Sequence, residues 1–204
     1  MSQMKLDLRN SLKQYYTPPK GEVELVSMPP MNCIMVDGDG EPGGKSFQEA
    51  MGVIYNLAYT MKFSAKKTLK KDYTVMAPEG LWWMKGGRID PSRPKDWLWT
   101  LLAVVPDFVT PELFGLAKDE VRRKKNLPGL DRARLETFDE GPCLQIMHIG
   151  PYSAETEDIA KIEAFAKAHG YKIVGKHHEI YLGDPRRAAP SKLRTIIRYP
   201  VAKA

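Results

Sequence analysis

The order of apolar and polar positions along the chain predicts the same series of elements twice. An apolar run typical of a buried strand comes first, beginning at Cys33 in the first half and at Cys143 in the second. A glycine-containing turn follows each run, and then a segment with apolar residues three, four and seven positions apart predicts an amphipathic helix. The second of these helices is predicted over about residues 155–169, with Gly170 as its stop. Two further extended segments close each half.

The starts of two helices are marked by capping residues. We predict that the first amphipathic helix starts at Ser46, where Glu49 completes a capping box. Thr110 and Pro111 suit the N-cap and the first helical position. They predict a further helix over about residues 110–126, which connects the two halves.

The repeated order predicts the fold class. We expect an α+β fold built from a duplicated strand–helix–strand–strand unit with pseudo-twofold symmetry. Its antiparallel sheet should carry two main helices on one face, with a ligand cleft between the halves. We expect a single domain over residues 21–204, with repeats at about 21–105 and 135–204 and a polar N-terminal arm over residues 1–20.

Composition narrows the classes of protein and partner. Apolar residues at 43% and charged residues at 27% are ordinary for a globular protein. No apolar run reaches the ~18 residues of a membrane span, and the N-terminus lacks the apolar centre of a secretion signal. We therefore expect a cytoplasmic protein without a membrane partner. The net charge of +6 is dispersed along the chain, so no nucleic-acid partner is expected either.

Neither a metal nor a cofactor is expected from the spacing of ligand-type residues. Cys33 and Cys143 lie in apolar runs outside any Cys-x-x-Cys pair, and we expect both to be buried thiols. His177 and His178 are adjacent, so on a strand they point to opposite faces and cannot bind one ion.

A glycine pattern at residues 38–43 resembles a dinucleotide-binding loop, but its chemistry argues against that function. Asp37, Asp39 and Glu41 would repel a pyrophosphate, and Pro42 removes an amide donor. We interpret this segment as a flexible turn.

Aromatic residues cluster in the first half. Core packing is the default interpretation for such residues. The alternative is a partly open aromatic pocket, which would hold a flat or cationic ligand by stacking and cation–π attraction. The clustered residues are Trp82, Trp83, Trp97 and Trp99, with Tyr55 and Tyr59 four positions apart on the predicted helix.

Glu179 is the most informative charged residue. On a strand, His177, Glu179 and Tyr181 would share one face, while Ile180 would point to the other. Glu179 is then either an ordinary surface carboxylate or a desolvated one suited to general-base chemistry. The repeat places Glu79 at the corresponding position of the first half, so two carboxylates compete for this role.

The second half resembles the GyrI-like small-molecule-binding domain, a family that includes a gyrase-inhibitory protein and the ligand domains of multidrug-responsive regulators. The resemblance implies that Glu179 occupies the position of the family's ligand-contacting glutamate. The first half is similar to a branch that hydrolyses the cyclopropane ring of DNA-alkylating natural products of the duocarmycin and yatakemycin type. The runs that carry both resemblances are residues 37–42, 55–59, 78–83, 148–152, 179–182, 184–185 and 199–201.

The resemblance implies a function in detoxification and antibiotic resistance in bacteria, with a flat aromatic or cationic small molecule as ligand. We expect Glu179 to activate water and Tyr55 to supply a hydrogen-bond donor. The expected ligand-binding residues are Trp82, Trp83, Trp97, Trp99, Tyr59, Glu79, Tyr152, His177 and Tyr181. One alternative is a non-catalytic drug-binding module. A gyrase partner is not expected, because it rests on fold-level analogy alone.

Overall fold

The computed structural model describes residues 5–87 and 89–204, which fall into two compact units. The first unit comprises residues 5–11, 31–78 and 82–138, as far as they are described. The second unit comprises residues 12–30, 79–81 and 139–204.

Strands and helices alternate along the chain. The strands are β1 (Lys5–Leu6), β2 (Glu24–Met28), β3 (Met31–Asp39), β4 (Asp72–Tyr73), β5 (Glu79–Trp83), β6 (Leu98–Val104), β7 (Arg134–Phe138), β8 (Gly141–Ile149), β9 (Tyr171–Ile173), β10 (His177–Tyr181) and β11 (Arg194–Lys203). The helices are α1 (Leu8–Ser11), α2 (Lys13–Tyr16), α3 (Lys45–Thr68), α4 (Pro111–Lys125) and α5 (Thr156–Ala168).

The first unit is built around the strand order β5-β6-β3-β7, in which β3 is antiparallel to both β6 and β7. Helix α3 packs on β3 and β6, and α4 packs on α3. The face of α3 that contacts the sheet is its apolar stripe, since Val53, Ile54 and Leu57 are all buried. The short strand β1 pairs in parallel with β4.

The second unit has the strand order β2-β8-β11-β10 followed by the first residues of β5, and β9 also pairs with β11. The pairs β2–β8, β8–β11 and β11–β10 are antiparallel. Helix α5 packs on one face of this sheet, where Leu144, Ile146, Ile162 and Ile197 form a fully buried cluster.

The predicted duplication is confirmed by the topology of the two units. The order strand, helix, strand, strand occurs as β3, α3, β5, β6 and again as β8, α5, β10, β11. Within each sheet the last strand of the repeat lies between the other two, as β6 lies between β5 and β3 and β11 between β10 and β8. The α+β class and the antiparallel sheet therefore follow the prediction.

Residues predicted as an N-terminal arm carry short elements and buried side chains. Leu8 is buried in the first unit, and Tyr16 is buried in the second. Lys20 forms an isolated bridge with Met147 of β8. Residues 12–20 therefore pack against the second sheet, because the apolar ring of Tyr16 gains by leaving water.

Helix α3 differs from its prediction at both ends. It begins at Lys45, and Gly44 occupies the N-cap position with extended backbone. The predicted capping box is wrong, because Ser46 lies inside the first turn and its hydroxyl cannot serve as the N-cap. The helix also continues through a basic segment predicted to be loose and ends at Thr68. Cations suit this end because they complement the helix dipole.

Helix α4 begins as predicted. The Thr110 hydroxyl accepts a hydrogen bond from the Leu113 amide at 3.3 Å, and Pro111 is the first helical residue. The left-handed backbone of Asn126 ends the helix. Among the described residues, no helix combines the length and apolar character needed to cross a membrane.

Candidate functional site

The sheet of the second unit separates neighbouring residues of β10 onto two faces. His177, Glu179 and Tyr181 lie on the face that α5 covers, and His178 lies on the opposite face. The strand register supports this assignment, because Glu179 is opposite Ile197 of the α5-side cluster and His178 is opposite Arg198. We call the first of these the α5 face and the second the His178 face.

On the α5 face, the imidazole of His177 connects two side chains. Its Nε2 lies 2.7 Å from Glu179 Oε1, and its Nδ1 lies 2.7 Å from the Tyr199 hydroxyl. The ring is buried, whereas the Glu179 side chain keeps 15% of its surface exposed. The histidine therefore fixes the orientation of a carboxylate that remains accessible.

Glu155, the residue before α5, supplies a second carboxyl group next to Glu179. It is 5% exposed and is hydrogen-bonded to Glu179. Burial and then the charge of Glu179 raise the pKa of Glu155 to about 10. Burial alone would also raise the pKa of Glu179, but the hydrogen bond and charge of His177, with bonds from Tyr181 and Glu155, outweigh it and lower that pKa. Glu155 is therefore the protonated partner and Glu179 the charged one.

Two buried oxygen atoms on the α5 face have no hydrogen-bond partner among the described residues. They are Oε1 of Glu155 and the hydroxyl of Thr195. Thr195 is paired in register with Tyr181 on one side and His148 on the other, so it belongs to the same face as Glu179. Buried polar atoms are normally satisfied. These atoms can therefore accept or donate a hydrogen bond to water or to a polar ligand group.

The position of Glu155 is set by a neighbouring ion pair. Asp158 in the first turn of α5 lies 2.8 Å from His148 Nδ1 and 2.7 Å from Lys161 Nζ. Burial opposes ionisation of Asp158, yet the bonds to Lys161 and His148 lower its pKa. The pair ties the start of α5 to strand β8, and Glu155 is held against the sheet as a result.

Tyr152 and Tyr181 add an aromatic element to this face. Their ring centroids are 6.0 Å apart in an edge-to-face arrangement, and Tyr152 is 39% exposed. Burial of the hydroxyl region, followed by the charges of Glu179 and Glu155, raises the pKa of Tyr152 to about 12. The Tyr152 hydroxyl therefore keeps its proton and can act as a hydrogen-bond donor.

A metal-type ligand set also occurs here. One ligand atom from each of Glu155, His177 and Glu179 lies within 4.8 Å of the others. Sequence spacing does not reveal this set, because residue 155 is distant from the other two along the chain. The His177–Glu179 distance of 2.7 Å is that of a hydrogen bond, whereas ligands about 2.0–2.1 Å from a tetrahedral zinc ion lie roughly 3.3 Å apart. The arrangement fits proton sharing better than ion binding.

The His178 face holds a closed network. His178 Nδ1 lies 2.8 Å from Glu140 and its Nε2 lies 3.0 Å from Glu79. The Tyr16 hydroxyl donates to the other oxygen of Glu79 at 2.6 Å. All four side chains are nearly or fully inaccessible. Although burial opposes it, the charges of Glu140 and Glu79 raise the pKa of His178 to about 9, so this histidine is a cation.

Arg198 extends this network across the sheet. Its Nε donates to Gln145 at 2.9 Å, Nη1 to Glu140 at 3.3 Å, and Nη2 to the Tyr15 carbonyl at 2.7 Å. Gln145 in turn donates to Glu24 at 2.8 Å. Burial would raise the pKa of Glu140, but His178 and Arg198 outweigh it and lower that pKa.

The tryptophans of the first unit are mainly core residues. Trp99 is 0% and Trp82 2% exposed, so neither presents an open ring face, and our assignment of these two to ligand binding is wrong for this conformation. Phe47 packs against both, at centroid distances of 5.5 Å and 5.6 Å. Gly38 is required next to Trp99, because a Cβ at that position would lie 2.1 Å from the indole ring.

The remaining predicted aromatic residues keep some exposed surface. Trp83 and Trp97 are partly buried, and the Trp97 indole donates to the Asp90 carbonyl at 2.9 Å. Tyr55 is 37% and Tyr59 47% exposed on α3. These residues belong to the first unit, and their assignment to ligand contact stays a prediction.

Several residues that build the second unit's polar sites were not predicted from the sequence. Arg198 had a visible signal, since it interrupts an apolar strand, and a charge at such a position needs a buried partner. Glu155 had none, because the first residues of helices are often acidic. The residues missed are Tyr16, Glu140, Glu155, Arg198 and Tyr199.

Comparison with known proteins identifies the family. The family model of the GyrI-like small-molecule-binding domain matches residues 21–202. An uncharacterized conserved protein from Listeria innocua is 40% identical, with a TM-score of 0.91, over 97% of this chain and 100% of its own. A hydrolase from Listeria innocua is 38% identical, with a TM-score of 0.86, over 97% of this chain and 100% of its own.

A second hydrolase from the same organism is 39% identical, with a TM-score of 0.89, over 98% of this chain and 100% of its own. Among curated proteins, no sequence matches this chain significantly. The fold and the site define an α+β protein with an internal duplication and a half-buried, oriented carboxylate. The chain belongs to the family of GyrI-like small-molecule-binding domains, and its ligand is therefore a small molecule.

Proposed function

We propose that this protein hydrolyses a flat, electrophilic xenobiotic, with Glu179 as the general base that activates water. One observation carries the proposal. Glu179 is an accessible carboxylate, held in its charged form and oriented by His177, next to buried oxygen atoms that lack partners. A general base needs this combination of charge, orientation and access to water.

The proposed substrate class is a cyclopropane conjugated to a dienone, as in duocarmycin-type compounds. Glu179 takes a proton from water, and the water oxygen forms a bond to a ring carbon while a carbon–carbon bond of the cyclopropane breaks. The released electron pair moves into the dienone, whose carbonyl oxygen becomes a phenol oxygen. A tyrosine that keeps its proton stabilises the developing charge on that oxygen.

Tyr152 is the donor that the second unit offers for this step. Its hydroxyl remains protonated at neutral pH, and its ring, with that of Tyr181, provides a partly exposed aromatic surface for a flat ligand. The assignment of Tyr55 to this role stays a prediction from the resemblance. The charge of Glu179 also favours ligands with a cationic group.

Glu179 is preferred over Glu79 as the base on the grounds of access. Glu79 is 1% exposed, and both of its oxygens already have partners in Tyr16 and His178. A carboxylate in that state cannot reach a ligand without disrupting the network. The two Listeria innocua hydrolases support a hydrolytic reaction. Detoxification in the bacterial cytoplasm is the setting that this reaction suggests.

The test is to incubate the protein with a duocarmycin-type compound and follow the ring-opened product by mass spectrometry. We expect turnover by the wild type and a loss of roughly a hundredfold or more in kcat for Glu179→Gln, since the amide cannot accept the proton. Exposed Glu157→Gln serves as the matched control and should retain activity. Equal turnover by Glu179→Gln would refute the mechanism. Tight binding with unchanged compound would instead establish a non-catalytic binding module.

A further inference from the structure

We propose that Glu155 is the positioning residue for Glu179: the two carboxyl groups share one proton, and Oε1 of Glu155 holds the water that Glu179 deprotonates. This inference rests on the proposed hydrolytic function for the role of the water. The sharing of the proton stands on geometry and can be measured without turnover.

The first step of the argument is that the site cannot hold two negative charges. Glu155 is 5% exposed and hydrogen-bonded to Glu179. A carboxyl–carboxyl hydrogen bond needs a proton on one of the two groups, and adjacent buried carboxylates resist double ionisation. The cation-capable partner His177 lies on Glu179, at 2.7 Å. The negative charge therefore stays on Glu179 and the proton on Glu155.

The surroundings of Glu155 reinforce this assignment. The titratable groups that face it are Glu179, His177 and Tyr181 from β10, Tyr152 from the preceding turn, and Asp158 from α5. Asp158 is negative and is already paired with His148 and Lys161. Tyr152 keeps its proton. None of these groups offers Glu155 a cation of its own, so nothing in its surroundings stabilises a charge there.

The second step concerns the free oxygen. In a protonated carboxyl group, one oxygen carries the proton and donates it, and the other is a pure acceptor. Glu155 uses one oxygen towards Glu179, and its Oε1 is buried without a partner. A water that donates one hydrogen to Oε1 and the other to Glu179 has its lone pairs directed away from both carboxyl groups. In the reaction that water loses one proton to Glu179, and the Glu155 proton does not move.

The experiment compares Glu155→Gln with Glu155→Ala in the full-length protein. Glutamine keeps a donor for Glu179 and a carbonyl acceptor for the water, so we expect kcat on the duocarmycin-type compound to remain within about tenfold of the wild type. Alanine removes both, and we expect kcat to fall roughly a hundredfold with KM little changed. The alkaline fall in wild-type activity that follows ionisation of Glu155 should be absent in Glu155→Gln. Glu157→Gln, in the same exposed turn, is the control.

A second measurement separates this inference from the proposed function. Infrared difference spectra at neutral pH should show a protonated carboxyl band in the wild type that Glu155→Gln lacks. The thermal midpoint of Glu155→Gln should exceed that of the wild type by several degrees at pH 8 and approach it near pH 4.5, because folding no longer requires proton uptake. If the band and the shift occur without turnover, the proposed function fails and the shared proton stands.

Three results would overturn the inference. The first is turnover without a protonated carboxyl band. The second is Glu155→Ala with wild-type kcat and an unchanged pH profile. The third is one divalent metal ion per chain, measured by elemental analysis and lost in Glu155→Gln, because a metal would require both carboxylates to be ionised.

Discussion

The adjacent residues His177 and His178 lie on opposite faces of one strand, and they differ in what surrounds them. On the His178 face, each nitrogen of the ring meets a carboxylate, and each of those carboxylates has a further partner in Tyr16 or Arg198. On the α5 face, His177 orients a carboxylate that keeps exposed surface, beside oxygen atoms without partners.

The difference shows how buried charge can serve either stability or chemistry. The cations His178 and Arg198 balance the anions Glu79 and Glu140, and the network leaves no group for a ligand. The α5 face has a surplus of negative charge and unused hydrogen-bonding capacity. We therefore expect substitutions on the His178 face to change the free energy of unfolding, and substitutions on the α5 face to change activity.

The largest effect on stability is expected for Arg198→Met. The substitution leaves Glu140 buried with one cation fewer and Gln145 without its donor. Removing one partner of a buried pair costs about 3–5 kcal/mol. Urea denaturation followed by circular dichroism measures this loss, and the double variant with Glu140→Gln should recover part of it. A loss below about 1 kcal/mol would mean that the network contributes little to stability.

The next effect depends on pH and concerns His178. Its pKa is raised from 6.5 to about 9, so its contribution is complete below pH 6.5 and is lost as the pH rises through about 9. The raised pKa corresponds to about 3 kcal/mol. Denaturation curves between pH 6 and 9.5 should show this decline in the wild type and in His177→Gln, and a smaller decline in His178→Gln. Parallel curves for wild type and His178→Gln would contradict the assigned charge.

The smallest effect is expected for Tyr16→Phe. This change deletes the hydroxyl that donates to Glu79 and keeps the buried ring. One acceptor of a buried carboxylate loses its partner, at a cost of about 1–2 kcal/mol. Thermal unfolding measures the change, with Tyr15→Phe as the control, because Tyr15 takes part through its backbone carbonyl. Equal midpoints for the two variants would show that residues 12–20 do not support the network.

The sequence was sufficient to predict features that depend on local periodicity. The duplication, the Thr110 cap of α4 and the opposite faces of His177 and His178 all follow from spacing of 3.6 or 2 residues and from capping chemistry. The start of α3 was missed because Gly44, rather than a side-chain cap, occupies its N-cap position. Such a start has no side-chain signal.

The candidate site was only half predicted, because its other half comes from long-range contacts. Alternation placed Glu179 with His177 and Tyr181, but pattern alone left it open between surface and pocket. Glu155 joins it through the packing of α5 on the sheet, and no local pattern encodes that contact. Trp82 and Trp99 were assigned to the ligand because composition cannot distinguish a core cluster from an open one.

The hydrogen bond between Tyr16 and Glu79 also bears on how this protein should be produced in the laboratory. The match to the family model begins at residue 21, so a fragment trimmed to that boundary lacks the hydroxyl at residue 16 and the carbonyl that receives Arg198. Such a fragment would expose Glu79 and His178 to solvent. The limits of a family match and the limits of a cooperatively folding unit are therefore different in this chain, and expression of the domain should retain at least residues 12–20.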